Sequence, residues 1–347
     1  MNAQMNVSDF FEAWGENLQD FWGRRSSGPI FGRSFHVFGW PVQLTSNREQ
    51  LLQAVDLSLP LYSRAPARPD GTLKIHVVSR EMPAEPGPVP DDLFTRIQYS
   101  GHDNWLAMHL GPWGLVHMAL DEGRATAIIA PALAAEPEQF SRYVLNTILL
   151  NLLENRGFSM LHATSLVRQN RVILLSGTHN SGKSSTALRL ALNGYDFLAD
   201  SMTFVAPLAS NVQLLGFPVG LAKVRRDMLA TFPEIEPLFE REITREEVKF
   251  GLDLRRLPGV SIHEEAITAP AAIDLFLLNR HEGSETRRAP AGLEETMRAI
   301  FHNSAYWHSA TFWQQHLARL QRLLKVARCQ HLLLGSDTGS LLAALDG

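Results

Sequence analysis

Arg171-Val172-Ile173-Leu174-Leu175-Ser176, followed by Gly177-Thr178-His179-Asn180-Ser181-Gly182-Lys183-Ser184, is the stretch that decides how this chain is read. The first six residues are β-branched and apolar, the composition of a buried strand. The next eight fit the pattern G-x-x-x-x-G-K-[ST]. In that pattern Gly177 and Gly182 let the backbone curl so that successive N–H groups face an anion. Lys183 can reach the β and γ phosphates, and the Ser184 hydroxyl can ligate Mg²⁺. Ser185-Thr186-Ala187-Leu188-Arg189-Leu190-Ala191-Leu192 then reads as a helix, with Gly194 placed as its stop. Its positive N-terminal end adds to the pull on an anion. Strand, glycine loop and helix follow in the order that phosphate binding requires. The plainer alternative is a Gly/Ser-rich turn between a strand and a helix.

Outward from the loop, composition sets the class. The chain has 347 residues, 45% of them hydrophobic and 20% charged, as in a globular protein of one large or two ordinary domains. A net charge of −4 gives no broad basic surface for nucleic acid. The single cysteine, Cys329, rules out an intrachain disulfide and reads as a buried structural thiol. No apolar run is long enough for a membrane span. The first residues lack the basic start and apolar core of a signal peptide, so the expected location is the cytoplasm.

Three regions are expected along the chain. Within residues 1–28, Phe10, Phe11, Trp14, Leu18, Phe21 and Trp22 share one face of an amphipathic helix. That helix suits docking on the protein's own core or on a second copy in a homo-oligomer; its polar face is too acidic for an ordinary lipid binder. Residues 29–136 read as a β-rich α+β accessory domain. Its expected strands are Ser34–Phe38, Thr72–Val78, Phe94–Ser100, Trp105–Leu110, Leu115–Leu120 and Ala125–Ile129. His102, His109 and His117 lie too far apart for a tight metal site and are read as non-catalytic. Residues 137–347 read as an α/β nucleotide-binding domain. A strongly apolar helix over 137–156 is expected to join the halves, and helices to dominate from Leu293 to Ala327. Tyr195–Ala199, Ser201–Val205, Val212–Phe217 and Ala272–Leu278 are expected strands; the hairpin-like connections among them predict a mixed sheet.

Two residues outside the loop sharpen the chemistry. Asp200 ends the strand Tyr195–Ala199, seventeen residues after Lys183. A carboxylate there can hold Mg²⁺ or take a proton from an attacking hydroxyl; alternatively it is a strand-end turn residue. His162 lies fifteen residues before Gly177. A hairpin turning at Gln169-Asn170 would return it to the phosphate end; alternatively it is a satisfied structural histidine.

The run His162-Ala163, Gly177 to Ser184, Thr186-Ala187-Leu188, Gly194-Tyr195 and Leu198-Ala199-Asp200 resembles the C-terminal catalytic domain of bacterial HPr kinase/phosphorylase and its relatives. The resemblance covers about forty residues. It implies the mixed-sheet P-loop fold shared with phosphoenolpyruvate carboxykinase. It implies ATP and Mg²⁺ as cofactors. The nucleotide would be held by Gly177, Thr178, His179, Asn180, Ser181, Gly182, Lys183, Ser184 and Ser185, with Mg²⁺ on Ser184 and Asp200. Asp200 would act as base on the acceptor hydroxyl, Lys183 on the phosphates, and His162 near the transfer centre.

The chain also departs from that family. Ser201 stands where the family has a second aspartate, which bears on its reverse, phosphate-removing activity. Glu246-Glu247-Val248-Lys249-Phe250-Gly251-Leu252 is only a loose echo of a second family signature. Gly216-Phe217-Pro218-Val219-Gly220-Leu221-Ala222-Lys223 and Ile273 to Arg280 resemble later segments of HPr-kinase-related proteins, making Lys223 and Arg280 either phosphate-side cations or solvated surface charges. The implied function is an ATP-dependent kinase for a serine hydroxyl of a peptide or protein other than HPr. A small-molecule alcohol kinase and a nucleotide-binding scaffold are the alternatives.

Overall fold

The computed structural model describes residues 29–68, 71–82, 86–243, 249–302 and 310–346. The amphipathic helix expected within 1–28 lies outside them. The chain divides into two compact units. The first holds the described residues within Met1–Pro60, Ala65–Gly157 and Tyr306–Gln314; the second those within Leu61–Arg64, Phe158–Ala305 and Gln315–Gly347. The helix over 137–156, expected to join the halves, clusters with the first unit.

In the first unit the strands are β1 (Phe31–Val37), β2 (Trp40–Ser46), β3 (Leu73–Ser79), β4 (Gln98–His102), β5 (Trp105–His109), β6 (Gly114–Ala119) and β7 (Arg124–Ile129). They form one seven-stranded sheet in the order β1-β2-β3-β7-β6-β5-β4. Pairing is antiparallel except at β2–β3 and β3–β7, which are parallel. The apolar run beginning at Pro137 becomes Pro137–Phe140, one wider π-type turn Ser141–Leu145, and Asn146–Asn155. Val144, Leu145, Ile148, Leu149, Leu152 and Leu153 in it are all fully buried, as an all-round apolar helix requires. Phe94–Ser100, expected as one strand, is instead a helical turn, Leu93–Arg96, before β4. Asp92 starts that turn: its carbonyl accepts from the Thr95 amide and hydroxyl, both at 2.8 Å.

The second unit is mixed α/β. Its strands are β8 (Ser159–Leu161), β9 (Ala163–Arg168), β10 (Arg171–Ser176), β11 (Asp196–Ala199), β12 (Thr203–Pro207), β13 (Val212–Gly216), β14 (Leu221–Arg225), β15 (Phe239–Ile243), β16 (Lys249–Asp253), β17 (Ile267–Thr268), β18 (Ala272–Arg280), β19 (Arg287–Pro290) and β20 (Ala327–Leu334). The main sheet runs β11-β9-β10-β18-β20-β19. Its centre, β10–β18–β20, is parallel, and its flanks are antiparallel. Smaller sheets, β17-β13-β12-β8 and β14-β16-β15, complete the unit.

Both faces of the main sheet are covered. Ile173 and Leu175 of β10 pack with Ala187, Leu188, Leu190 and Ala191 of the helix Lys183–Ala191. Val172 and Leu174, pointing the other way, pack with Ile300, Leu320, Leu323 and Leu324 from the helices Leu293–His302 and Ala310–Val326. This is why β10 reads as continuously apolar instead of alternating. At the far edge of the sheet, buried Asp274 is held by Arg171 and by Arg328, whose Nε lies 2.8 Å away. Among the described residues no helix is long and apolar enough to cross a membrane.

His117 of β6 gives the first unit a pH dependence. Its ring is buried and stacks on Trp105 with centroids 4.6 Å apart. Burial, and then the Arg124 charge, push its pKa from 6.5 down to about 4. The unfolded chain takes up this proton near 6.5, whereas the native chain refuses it until about 4. The stabilisation is therefore complete above 6.5 and lost as pH falls towards 4. Denaturant melts at pH 7 and pH 4.5 are expected to show the parent losing about 2–3 kcal/mol more than His117→Phe. Equal losses would show that the imidazole is not held neutral.

Candidate functional site

Strand directions bring the candidate residues to one edge. β9 runs antiparallel to β10, with Ala163 opposite Ser176. β11 runs antiparallel to β9, with Ala199 opposite Ser165. The start of β9, the end of β10 and the end of β11 therefore meet. His162, one residue before the Ala163–Ser176 pair, stands at the level of Gly177, half-buried between β8 and β9. Asp200 follows β11 at the level of Thr164 and is 3% exposed.

The loop from Gly177 to Gly182 has a cradle's geometry. A Cβ on Gly177 would lie 2.6 Å from Ser181 Oγ and 3.2 Å from the Leu278 carbonyl, so any side chain there must displace Ser181. Gly182 has φ +99° and opens the helix Lys183–Ala191 from a left-handed turn. Asn180 is also left-handed, at φ +61°, a conformation asparagine tolerates. Lys183, almost wholly buried, folds its ammonium onto the loop, donating to the Gly177 carbonyl at 2.8 Å and the Thr178 carbonyl at 2.9 Å. Two loop carbonyls are thus turned to the lysine. Ser185 donates back to the Gly182 carbonyl at 3.0 Å. Ser181 Oγ is buried without a hydrogen-bond partner, an orphaned polar atom inside the loop. Thr178 and His179 are exposed.

Asp200 is tied to this loop. Its Oδ2 accepts from Ser184 Oγ at 2.9 Å and from the Lys223 backbone N–H at 3.0 Å, while Oδ1 accepts from Thr164 Oγ1 at 2.6 Å. Lys223 reaches it because the segment after β13 crosses beside β11: Gly220 N–H donates to the Leu198 carbonyl, and Val219 bridges Ala199. Sequence reasoning chose Lys223 for its charge, but the backbone amide is what touches Asp200; the side chain is exposed. Arg280, at the end of β18, lies beyond the Ser176–Leu277 pair and is also exposed. Thr164 was missed, because a threonine early in a strand has no motif of its own.

The donor set suits Mg²⁺. Neighbouring ligand oxygens about 2.1 Å from an octahedral ion stand about 3 Å apart. Ser184 Oγ and Asp200 Oδ2 are 2.9 Å apart. No group of three or more His, Cys, Asp and Glu side chains gathers as a metal cage among the described residues. Mg²⁺ takes few protein ligands and fills its sphere with phosphate oxygens and water.

No protein-family model matches the chain, and no curated protein matches it. Among solved structures, the HPr(Ser) kinase/phosphatase from Coxiella burnetii aligns at 14% identity and a TM-score of 0.25, over 54% of this chain and 91% of that one. A superposition that weak leaves the argument to the site's own geometry.

Gly177→Ala is expected to weaken pyrophosphate binding, measured by calorimetry, by at least about tenfold, since the new methyl displaces Ser181. An unchanged affinity in a folded variant would show that the loop is not the cradle.

Proposed function

We propose that this chain is an ATP- and Mg²⁺-dependent phosphotransferase of the HPr-kinase type, acting on a serine hydroxyl of a peptide or protein other than HPr. The observation that carries the reading is the 2.9 Å approach of Ser184 to Asp200 beside a lysine-capped glycine loop. The sequence resemblance supplies the acceptor class. Ser201, in place of the family's second aspartate, favours a one-way kinase.

Bound at this site, MgATP supplies the phosphoryl group and the positive charge that offsets its negative oxygens. Backbone amides between Gly177 and Ser185 would face the phosphates, except that of Ser181, which donates to the Thr178 carbonyl, and the helix N-terminus adds its partial positive charge. Lys183 exchanges the Gly177 and Thr178 carbonyls for phosphate oxygens. Ser184 Oγ and Asp200 Oδ2, now bonded to each other, would hold the cation. A carboxylate has about four lone-pair sites. Oδ1 gives one to Thr164 and keeps another for the acceptor's proton. Asp200 would take the acceptor's proton as the acceptor oxygen bonds to phosphorus and ADP departs with the electron pair of the broken P–O bond. His162, at the level of Gly177, flanks the transferring group. Positioning and charge neutralisation are most of what this reaction asks of a protein.

The test is incubation with γ-labelled ATP and Mg²⁺ together with peptides encoded by neighbouring genes. Label on a peptide serine is expected, falling about 100-fold or more in Asp200→Asn, as loss of a general base does. Lys183→Ala is expected to lose both binding and transfer. Tight ATP binding with no transfer to any acceptor, unchanged in Asp200→Asn, would overturn the kinase reading.

A further inference from the structure

Thr164 is fully buried on β9 and meets both residues that follow β11. Its Oγ1 lies 2.6 Å from Asp200 Oδ1 and 3.3 Å from the Ser201 amide nitrogen. An amide N–H only donates, so the threonine oxygen accepts from Ser201. A hydroxyl has one proton, and that proton is therefore committed to Asp200. The direction of the whole chain is fixed: Ser201 N–H to Thr164, and Thr164 O–H to the carboxylate.

We propose that Thr164 is the positioning residue of this site, holding the Asp200 carboxylate so that Oδ2 faces Ser184 and the cation. The inference rests on the phosphotransferase reading and adds to it a residue that touches neither nucleotide nor acceptor. Three further observations support it. A β-branched side chain on a strand is stiff about χ1, so Thr164 is a rigid post. The neighbouring backbone is fixed as well: Thr203 Oγ1 donates in this cluster, 2.8 Å from Ser165 Oγ and 3.0 Å from the Ala163 carbonyl, on either side of Thr164. Ser201 sits at φ +71°, a left-handed conformation that serine seldom takes. The hydrogen bond from its backbone N–H to Thr164 Oγ1 helps hold the turn that aims Asp200.

The test reads metal uptake directly. Mn²⁺ binding in the presence of ADP is titrated by electron paramagnetic resonance for the parent, Thr164→Val, Thr164→Ser, Asp200→Asn and the double variant Thr164→Val/Asp200→Asn. Thr164→Val is expected to bind Mn²⁺ roughly 10- to 100-fold more weakly, the usual cost of losing a group that orients a metal ligand. Affinity for ADP without metal should stay within about twofold of the parent. Thr164→Ser keeps the hydroxyl and is expected to restore Mn²⁺ binding. In the Asp200→Asn background the Thr164→Val change should cost little more, because the two residues act as one unit. Should Thr164→Val fail to fold, Thr164→Ala leaves room for water on the Ser201 amide and carries the same expectation. Parent-like Mn²⁺ binding in the Val or Ala variant, or full additivity in the double variant, overturns the positioning role and leaves the site reading standing. A parent chain that takes up ADP but no Mn²⁺ overturns both.

Discussion

A carboxylate that is 3% exposed must be held by donors, and Asp200 is held by three from separate elements. Thr164 comes from β9, Ser184 from the helix after the loop, and the Lys223 amide from β14. Leaving such a group unsatisfied costs more than making its bonds gains, so the three elements are constrained together. The mixed order of the sheet makes this arrangement possible. With β9 and β11 each antiparallel to its neighbour, the start of one and the ends of β10 and β11 share an edge. Were β9 parallel to β10, Thr164 and His162 would lie at the opposite edge, beside the Arg171–Asp274–Arg328 cluster.

The loop is shaped by bonds made within it and to the helix that follows. Lys183 satisfies two loop carbonyls, and the packed helix face behind it, with Ala187, Leu188 and Ala191, fixes where the loop ends. Bonds this local explain why a short motif carries so much information. The glycine positions, the lysine reach and the helix start are all local, and two buried sheet faces impose the apolar run before them.

Legibility in the sequence followed the same logic. Loop, helix, β11 and Asp200 could be read because each has a local signal. Thr164 and the Lys223 amide could not: one is an ordinary strand residue, and the other acts through its backbone, which any residue but proline supplies. β20 was hidden because the helix Ala310–Val326 gives way to Ala327–Leu334 with no glycine or proline between them. β2 was hidden by Pro41, which usually argues against an interior strand. The structure accommodates it because the ladder to β3 begins only at Val42. The expected join near residue 137 rested on the apolar helix alone, and an apolar helix can serve either neighbour.

The central claim is that Ser184 and Asp200 share one cation beside a phosphate chain held by Gly177 to Ser184. A crystal structure with Mn²⁺ and a non-hydrolysable ATP analogue tests it most directly. The account predicts an anomalous peak bound to both Ser184 Oγ and Asp200 Oδ2, with the β and γ phosphates in the loop and Lys183 turned onto them. Nucleotide bound elsewhere, or a metal on the phosphates with Asp200 still bonded to Ser184, would contradict it.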